Sequence, residues 1–266
     1  MSSVALENLR KDSELRAQTD RQISVAWVLL PIIAVILAVV VAVLYVLAIV
    51  DTFSSWTSSS TGATANVVPI FGGFALVAGI GFLAEILYLY FFYMLIRRRN
   101  QHFPRQQRFF TDLVTVLRGA ASKRNVNADA LLGSMENTVR QSQAEETEKS
   151  AVLWVILMLV PFISTIAILY VLYFLTGDFQ KHERWEDGML SDTERALGAM
   201  GVQFIFHRNN PIPSRSFVLY IILTIITLGI FGLYWEYVLI KDPNNHFVNH
   251  AVYEPQIIQL VTPLAG

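Results

Sequence analysis

Residues 67–103 read VVPIFGGFALVAGIGFLAEILYLYFFYMLIRRRNQHF. From Val67 to Ile96 the only charge is Glu85, and Arg97, Arg98 and Arg99 then follow without a gap. A helix needs ~20 apolar residues to cross hydrocarbon. A basic cluster at its end marks the headgroup boundary on the side that resists translocation. The stretch reads as a membrane helix that stops at an interface.

Three further apolar runs, Ser24–Val50, Ala151–Thr176 and Phe217–Ile240, bring the number to four, and Glu85 and Glu236 are their only charges. The whole chain is 54% hydrophobic and 15% charged, against about 25% charged in soluble domains, and its mean hydropathy is +0.47. The expected fold is an all-α membrane protein with four transmembrane helices arranged as two related hairpins, plus cytoplasmic and interfacial amphipathic helices. The absence of cysteine excludes a disulfide scaffold. A net charge of -1 argues against a nucleic-acid partner. The charged leader before the first run has no small-residue cleavage site, which argues against a cleaved signal peptide.

Loop charges orient the spans. The leader carries four Lys or Arg, the 51–66 loop none, 97–150 ten, 177–216 five, and the tail Lys241 alone. Placing both termini in the cytoplasm puts 15 of these inside and 5 outside, so a multi-pass cell-membrane protein with that orientation is expected. The five charges of 177–216 are many for a translocated loop. The domains are then a polar leader (1–23), a first hairpin (24–96), a cytoplasmic helical section (97–150), a second hairpin (151–240) and a cytoplasmic tail (241–266). Within 97–150, Phe109, Phe110, Leu113, Val114 and Leu117 line one helix face. Such a helix either lies on anionic lipid or packs on its own protein. A second helix, with Leu131, Leu132, Met135 and Val139 on one face, is expected to start near Asn127 or Asp129 and to run on into the third span. Ser191–Glu194, SDTE, has capping-box spacing and predicts a short inserted helix at about 190–206.

Span two ends LYFFYMLIRRRNQHF (89–103) and span four ends LYWEYVLIKDPNNHF (233–247), eight identities in fifteen positions at an offset of 144. Tyr90, Tyr93, Asn100 and His102 thereby match Tyr234, Tyr237, Asn244 and His246. Duplication of a two-span unit explains the match. The tyrosines suit interfacial anchoring and the asparagines a turn. Pro104 and Pro243 discourage further helix, and the histidines fall just past the helix ends. Span three ends LYVLYFLTGDFQKHE (169–183), which repeats Tyr170, Tyr173 and His182 at the same spacing. In the four-span order that exit faces the opposite side, so the third copy is either inverted or an argument against the topology.

The last span and its flanks carry Thr227, Leu228, Gly229, Ile230 and Phe231 followed by Trp235. This Thr-Leu-Gly-Ile-aromatic…Trp string resembles an uncharacterised prokaryotic, notably archaeal, integral membrane family of the domain-of-unknown-function type. The resemblance implies a membrane protein and carries over no catalytic residue.

Glu85 lies 11 residues before Ile96, about 16 Å deep, with no basic residue in any span. An intramembrane carboxylate is a candidate proton or cation site; the alternative is a carboxyl bonded to a hydroxyl such as Ser164, Thr165, Thr224 or Thr227 on a neighbouring helix. Glu236, near the exit of span four, is explained by snorkelling or by pairing with Lys241. His246 and His250 are spaced i, i+4, yet there is no HExxH and no cysteine, and His182 belongs to the opposite side in this topology. No metal or cofactor is therefore expected. No Walker loop or nucleophile elbow occurs. Gly72, Gly73, Gly79 and Gly81, with Ala75 and Gly79 at small-xxx-small spacing, point to helix packing within the bundle or between protomers, or to a broken helix at a transport site.

The leading functional expectation is a membrane scaffold or regulatory protein without catalytic activity, set in the lipid bilayer and meeting a protein partner through 97–150. Its rival is a small transporter or channel working around Glu85, in a monomer or an oligomer. A membrane enzyme using the His/Asn exits ranks third.

Overall fold

The computed structural model describes residues 2–58 and 68–265, and among them regular structure is helical throughout. The helices are α1 (Ser2–Thr19), α2 (Leu29–Ser58), α3 (Val68–Lys123), α4 (Asp129–Glu145), α5 (Ala151–Leu159), α6 (Ser164–Ala199), α7 (Phe217–Ile226) and α8 (Ile230–Ala265), with a 3-10 turn at Val25–Val28. The chain divides into two units, Val25–Phe92 and the remainder, and α3 contributes to both. Residues 59–67, which include the second half of the expected outer loop 51–66, lie outside the described residues.

The unit Val25–Phe92 is an apolar helix pair. Gly73 of α3 faces the ring of Tyr45 on α2, where a β-carbon would collide with the ring. Trp27 stacks on Phe91 with ring centroids 6.0 Å apart. Gly72, Gly79 and Gly81 have open space where a side chain would go, so the close approach rests on Gly73. Elsewhere the pair is coated with exposed Ile, Val, Leu and Phe.

In the other unit the four-span expectation is corrected. Two segments among the described residues, Val25–Ser55 and Gly72–Lys123, are long and apolar enough to cross a membrane. The runs Ala151–Thr176 and Phe217–Ile240 instead fold back as helical hairpins. Pro161 ends α5: Val160, ahead of it, is extended at φ -82°, ψ 118°, as a residue before proline prefers. Phe162 then takes φ 67° and α6 begins. At the second turn Leu228 has φ 50° and Gly229 φ 93°. Gly229 N–H bonds Thr224 C=O at 2.8 Å and Leu228 N–H bonds Ile225 C=O at 3.1 Å. That is a Schellman stop, and it is made by the residues of the Thr-Leu-Gly-Ile string.

The return helices do not stop where the exits were expected. α3 runs through Asn100 and Pro104 to Lys123, and α8 through Asn244, Pro243, Pro255 and Pro263 to Ala265. An interior proline costs about 3 kcal/mol, and here burial offsets it. Tyr253, Ile257, Val261 and Leu264 of α8 join Leu9 of α1, Phe109, Leu113 and Leu117 of α3, and Leu132 and Met135 of α4 in one core. The amphipathic face at 109–117 is thus packed on its own protein. The inserted helix at 190–206 is also corrected: Ser191 lies inside α6, which ends at Ala199 and turns at Gly201 with φ 76°. The helix expected to run from near 129 into the third span ends at Glu145, and Ser150 caps α5 through Leu153 N–H.

These contacts correct the topology as well. Asn209 N–H bonds Asn249 Oδ1 at 2.9 Å, and Arg16 bonds the carbonyl of His250 at 2.9 Å. The 177–216 segment therefore packs in one body with the leader and the C-terminal helix, and no bilayer separates them.

Candidate functional site

α3, α6 and α8 each carry one copy of the repeated string, and the helices bring its histidine to one place. The imidazole centroids of His102 and His182 are 5.0 Å apart, those of His102 and His246 5.2 Å, and those of His182 and His246 5.4 Å. His250, one turn beyond His246, stacks edge-on against it at 4.5 Å. All four are buried, on a floor of Phe103, Phe179, Phe247 and Ile212. The expected placement of His182 on the opposite side is thereby overturned, and with it one reason for excluding a metal.

A carboxylate holds the Nδ1 atom of each repeat histidine. His102 Nδ1 is 2.8 Å from Asp20 Oδ1, His182 Nδ1 2.8 Å from Glu146 Oε1, and His246 Nδ1 3.0 Å from Glu183 Oε2. Each contact places the hydrogen on Nδ1 and leaves Nε2 as a lone pair. Arg208 Nη1 also approaches His246 Nδ1, but at 3.4 Å, so the shorter carboxylate contact decides that tautomer. Nε2 of His102 stands 3.3 Å from Nε2 of His246, and Nε2 of His250 3.0 Å from that same atom. His182 Nε2 is buried without a hydrogen-bond partner.

The carboxylates are anchored in turn. Arg105, fully buried, donates to Glu254 Oε1 at 2.5 Å and to Asp20 Oδ2 at 2.8 Å. Arg208 donates to Glu186 Oε2 at 2.7 Å. Glu186 Oε1 faces His250 Nε2 at 2.8 Å and also accepts from the hydroxyl of Tyr253. Glu183 Oε1 accepts the backbone N–H of Ile212 at 2.6 Å, and Gln107 donates to Glu146 Oε2 at 2.9 Å.

Burial pushes His102 well below the usual histidine range, outweighing the pull of Asp20. Burial likewise brings His246 down to about 4 despite Glu186 and Glu183. For His250 burial opposes the charged form too, but Glu186 and Glu254 prevail and raise it to about 9. Glu186 is held well below the carboxylate range because His250 and Arg208 outweigh its burial. The centre thus combines the neutral imidazoles of His102 and His246 with the imidazolium of His250 at pH 7.

The other residues singled out by sequence fall around this centre or away from it. Asn100 and Asn244 make no turn. Asn100 donates to Lys149 C=O at 2.6 Å and accepts Lys149 N–H at 3.2 Å, just before α5. Asn244 does the same to Ile23, at 2.8 and 3.1 Å, just before the 3-10 turn. The equivalent asparagines therefore each clasp the backbone that leads into an apolar hairpin. Tyr93 lies under Arg97 at 5.9 Å and Tyr237 under Lys241 at 5.4 Å, a cation–π pair in both copies. Tyr90 and Tyr234 are exposed. Glu85 is exposed on α3, within the Val25–Phe92 unit. Glu236 is buried, so snorkelling does not describe it.

Sequence reasoning did not single out Asp20, Arg105, Glu146, Glu183, Glu186, Arg208, Tyr253 or Glu254. They lie on α3, α6 and α8 and in the segments that follow α1, α4 and α6, and no linear spacing connects them all. One signal was available. A third copy ending in His182 matches the other two only if all three helices point the same way.

Fold and site together define an all-helical protein with two long apolar helices, two apolar helical hairpins and a buried histidine–carboxylate centre. Residues 215–264, which are α7, its turn and α8 with His246 and His250, match the family DUF4234, a domain of unknown function. No curated protein and no solved structure matches the chain.

Proposed function

We propose that the chain is an integral membrane accessory protein whose apolar hairpins seat it in the cell membrane while its polar body works on the cytoplasmic face as a scaffold or regulator. The observation that supports this reading is the pair of hairpin tips. Phe162 is 96% exposed and Leu228 93% exposed, both in left-handed conformations, and Ile166, Ile225, Ile226 and Ile230 around them are exposed as well. In water such tips would be unfavourable; in hydrocarbon they are solvated. The outgoing legs of nine and ten residues span about 14–15 Å, half of a ~30 Å hydrocarbon core. They reach the midplane and return. In this arrangement all 20 Lys and Arg lie on one side of the membrane, as the positive-inside rule favours. The outward faces of α3 and α4, with Thr111, Thr115, Arg118 and Arg140 exposed, offer a protein partner the 97–150 segment.

Single cysteines test the reading, since the chain has none of its own. Ser122→Cys, Ser191→Cys and Gln259→Cys are expected to resist an impermeant reagent outside intact cells and to react in inverted vesicles, whereas Ser59→Cys reacts from outside. Outside labelling of Ser191→Cys would overturn the arrangement. Photocrosslinkers at Thr115 and Arg140 are expected to trap one common protein partner; capture of lipid alone at both positions would sink the scaffold role.

A further inference from the structure

We propose that His102, His182 and His246 form a binding site for one divalent transition metal ion of the zinc class, held by their three Nε2 atoms. One nitrogen of each residue lies within 4.8 Å of the other two, and all three side chains are buried. Two imidazole nitrogens on one tetrahedral zinc, each at about 2.0–2.1 Å, stand about 3.3 Å apart, and the His102–His246 separation is 3.3 Å.

The hydrogen-bond pattern singles out a cation over other occupants. With Nδ1–H of each ring committed to Asp20, Glu146 or Glu183, the lone pairs of His102 and His246 face one another at 3.3 Å and repel, while the Nε2–H of His250 is shared between His246 Nε2 at 3.0 Å and Glu186 Oε1 at 2.8 Å. His182 Nε2 is buried and unpaired, a loss of about 1–3 kcal/mol for a polar atom left without a partner. A metal ion accepts all three lone pairs and removes both costs. A carboxylate on the far nitrogen is the outer support that metal-bound histidines ordinarily have, fixing ring orientation and raising ligand basicity. Here every ligand has one, and the three carboxylates come from three different segments of the chain.

Charge agrees with this assignment. Asp20, Glu146, Glu183, Glu186 and Glu254 surround the rings, against the buried guanidiniums of Arg105 and Arg208 and the imidazolium of His250. A buried surplus of negative charge is costly unless a cation offsets it. All-imidazole donors suit Zn(II), Co(II), Ni(II) or Cu(II) over Mg(II) or Ca(II), which take oxygen ligands. Three protein ligands leave a fourth position. A cavity of about 20 Å³ lined by Gln106, His182 and Glu186, among others, lies beside the site, and that is room for one water.

The test uses the full chain without a histidine tag, purified in mild detergent, stripped with chelator and titrated with Zn(II) or Co(II). One ion per chain is expected by elemental analysis, with Co(II) giving the intense visible absorption of a tetrahedral nitrogen site. His182→Gln should lose that spectrum while circular dichroism stays helical. Glu146→Gln retains all three ligands and should bind one ion with about 10–100-fold weaker affinity, which decides the matter even if His182→Gln does not fold. Equal binding by wild type and the triple variant His102→Gln, His182→Gln, His246→Gln would overturn the site. So would an unchanged affinity in Glu146→Gln.

Discussion

His102 and His246 stand 144 positions apart in the chain, and their Nε2 atoms are 3.3 Å apart in the fold. The offset that relates the two copies of the exit string is thus also a contact between them. Each ring is tied at its other end to a carboxylate, Asp20 or Glu183. Replacing either histidine by leucine strands a buried acceptor, so each single variant should lose about 1–3 kcal/mol. The double variant should lose less than the sum, because both residues belong to one cluster. Denaturation in mild detergent measures the cycle, and strict additivity would show that the contact carries no coupling.

Arg105 is the keystone of the charge network, with Glu254 at 2.5 Å and Asp20 at 2.8 Å. Arg105→Ala leaves two buried carboxylates without that partner and should cost about 3–5 kcal/mol. A variant that melts within a degree or two of wild type would contradict this.

The two asparagines provide a paired prediction. Asn244→Ala frees the N–H and C=O of Ile23, and Asn100→Ala those of Lys149. Hydrogen exchange should accelerate at Ile23 only in the first variant and at Lys149 only in the second, with about 1–2 kcal/mol lost in each. Exchange that accelerates at both places in either variant would refute separate clasps.

Gly73 and Gly79 separate packing from mere composition. At Gly73 a β-carbon meets the ring of Tyr45, whereas at Gly79 nothing lies within 4 Å. Gly73→Ala should destabilise by about 1–3 kcal/mol through overpacking, and Tyr45→Leu in the same chain should recover part of the loss. Gly79→Ala should be neutral or stabilising, since alanine is the better helix former. Thermal melts in detergent read both, and equal effects would remove Gly73 from the interface.

At the second hairpin tip Leu228 has φ 50°, and a non-glycine residue in this region costs about 1–2 kcal/mol. Leu228→Gly should therefore raise stability in detergent by up to about 1 kcal/mol, after the flexibility glycine adds to the unfolded chain. Gly229→Val, at φ 93°, should lower stability. A destabilised Leu228→Gly would show that contacts of the leucine outweigh its strain.

The sequence by itself determined the helical class, the four apolar runs, the repeated string and the residues that recur in it. These are one-dimensional properties. Charge depletion over 24 residues or more shows as directly in the letters as an identity at a fixed offset. Tertiary structure decided whether an apolar run continues as one long helix or turns back on itself. Run length sets only how far a helix can reach, and one left-handed residue after Pro161, or two at Leu228–Gly229, is enough to reverse the chain at modest cost. Tertiary structure also decided that Asn100, Pro104, Asn244 and Pro243 lie inside helices, because the burial of Leu113, Leu117, Tyr253 and Ile257 outweighs the local stop signals. The centre itself was not legible. Its histidines come from three helices; Asp20 and Glu146 reach them from two other places in the chain, and Glu183 of α6 serves the histidine of α8 rather than its neighbour His182. Only packing in three dimensions joins groups so distant in sequence.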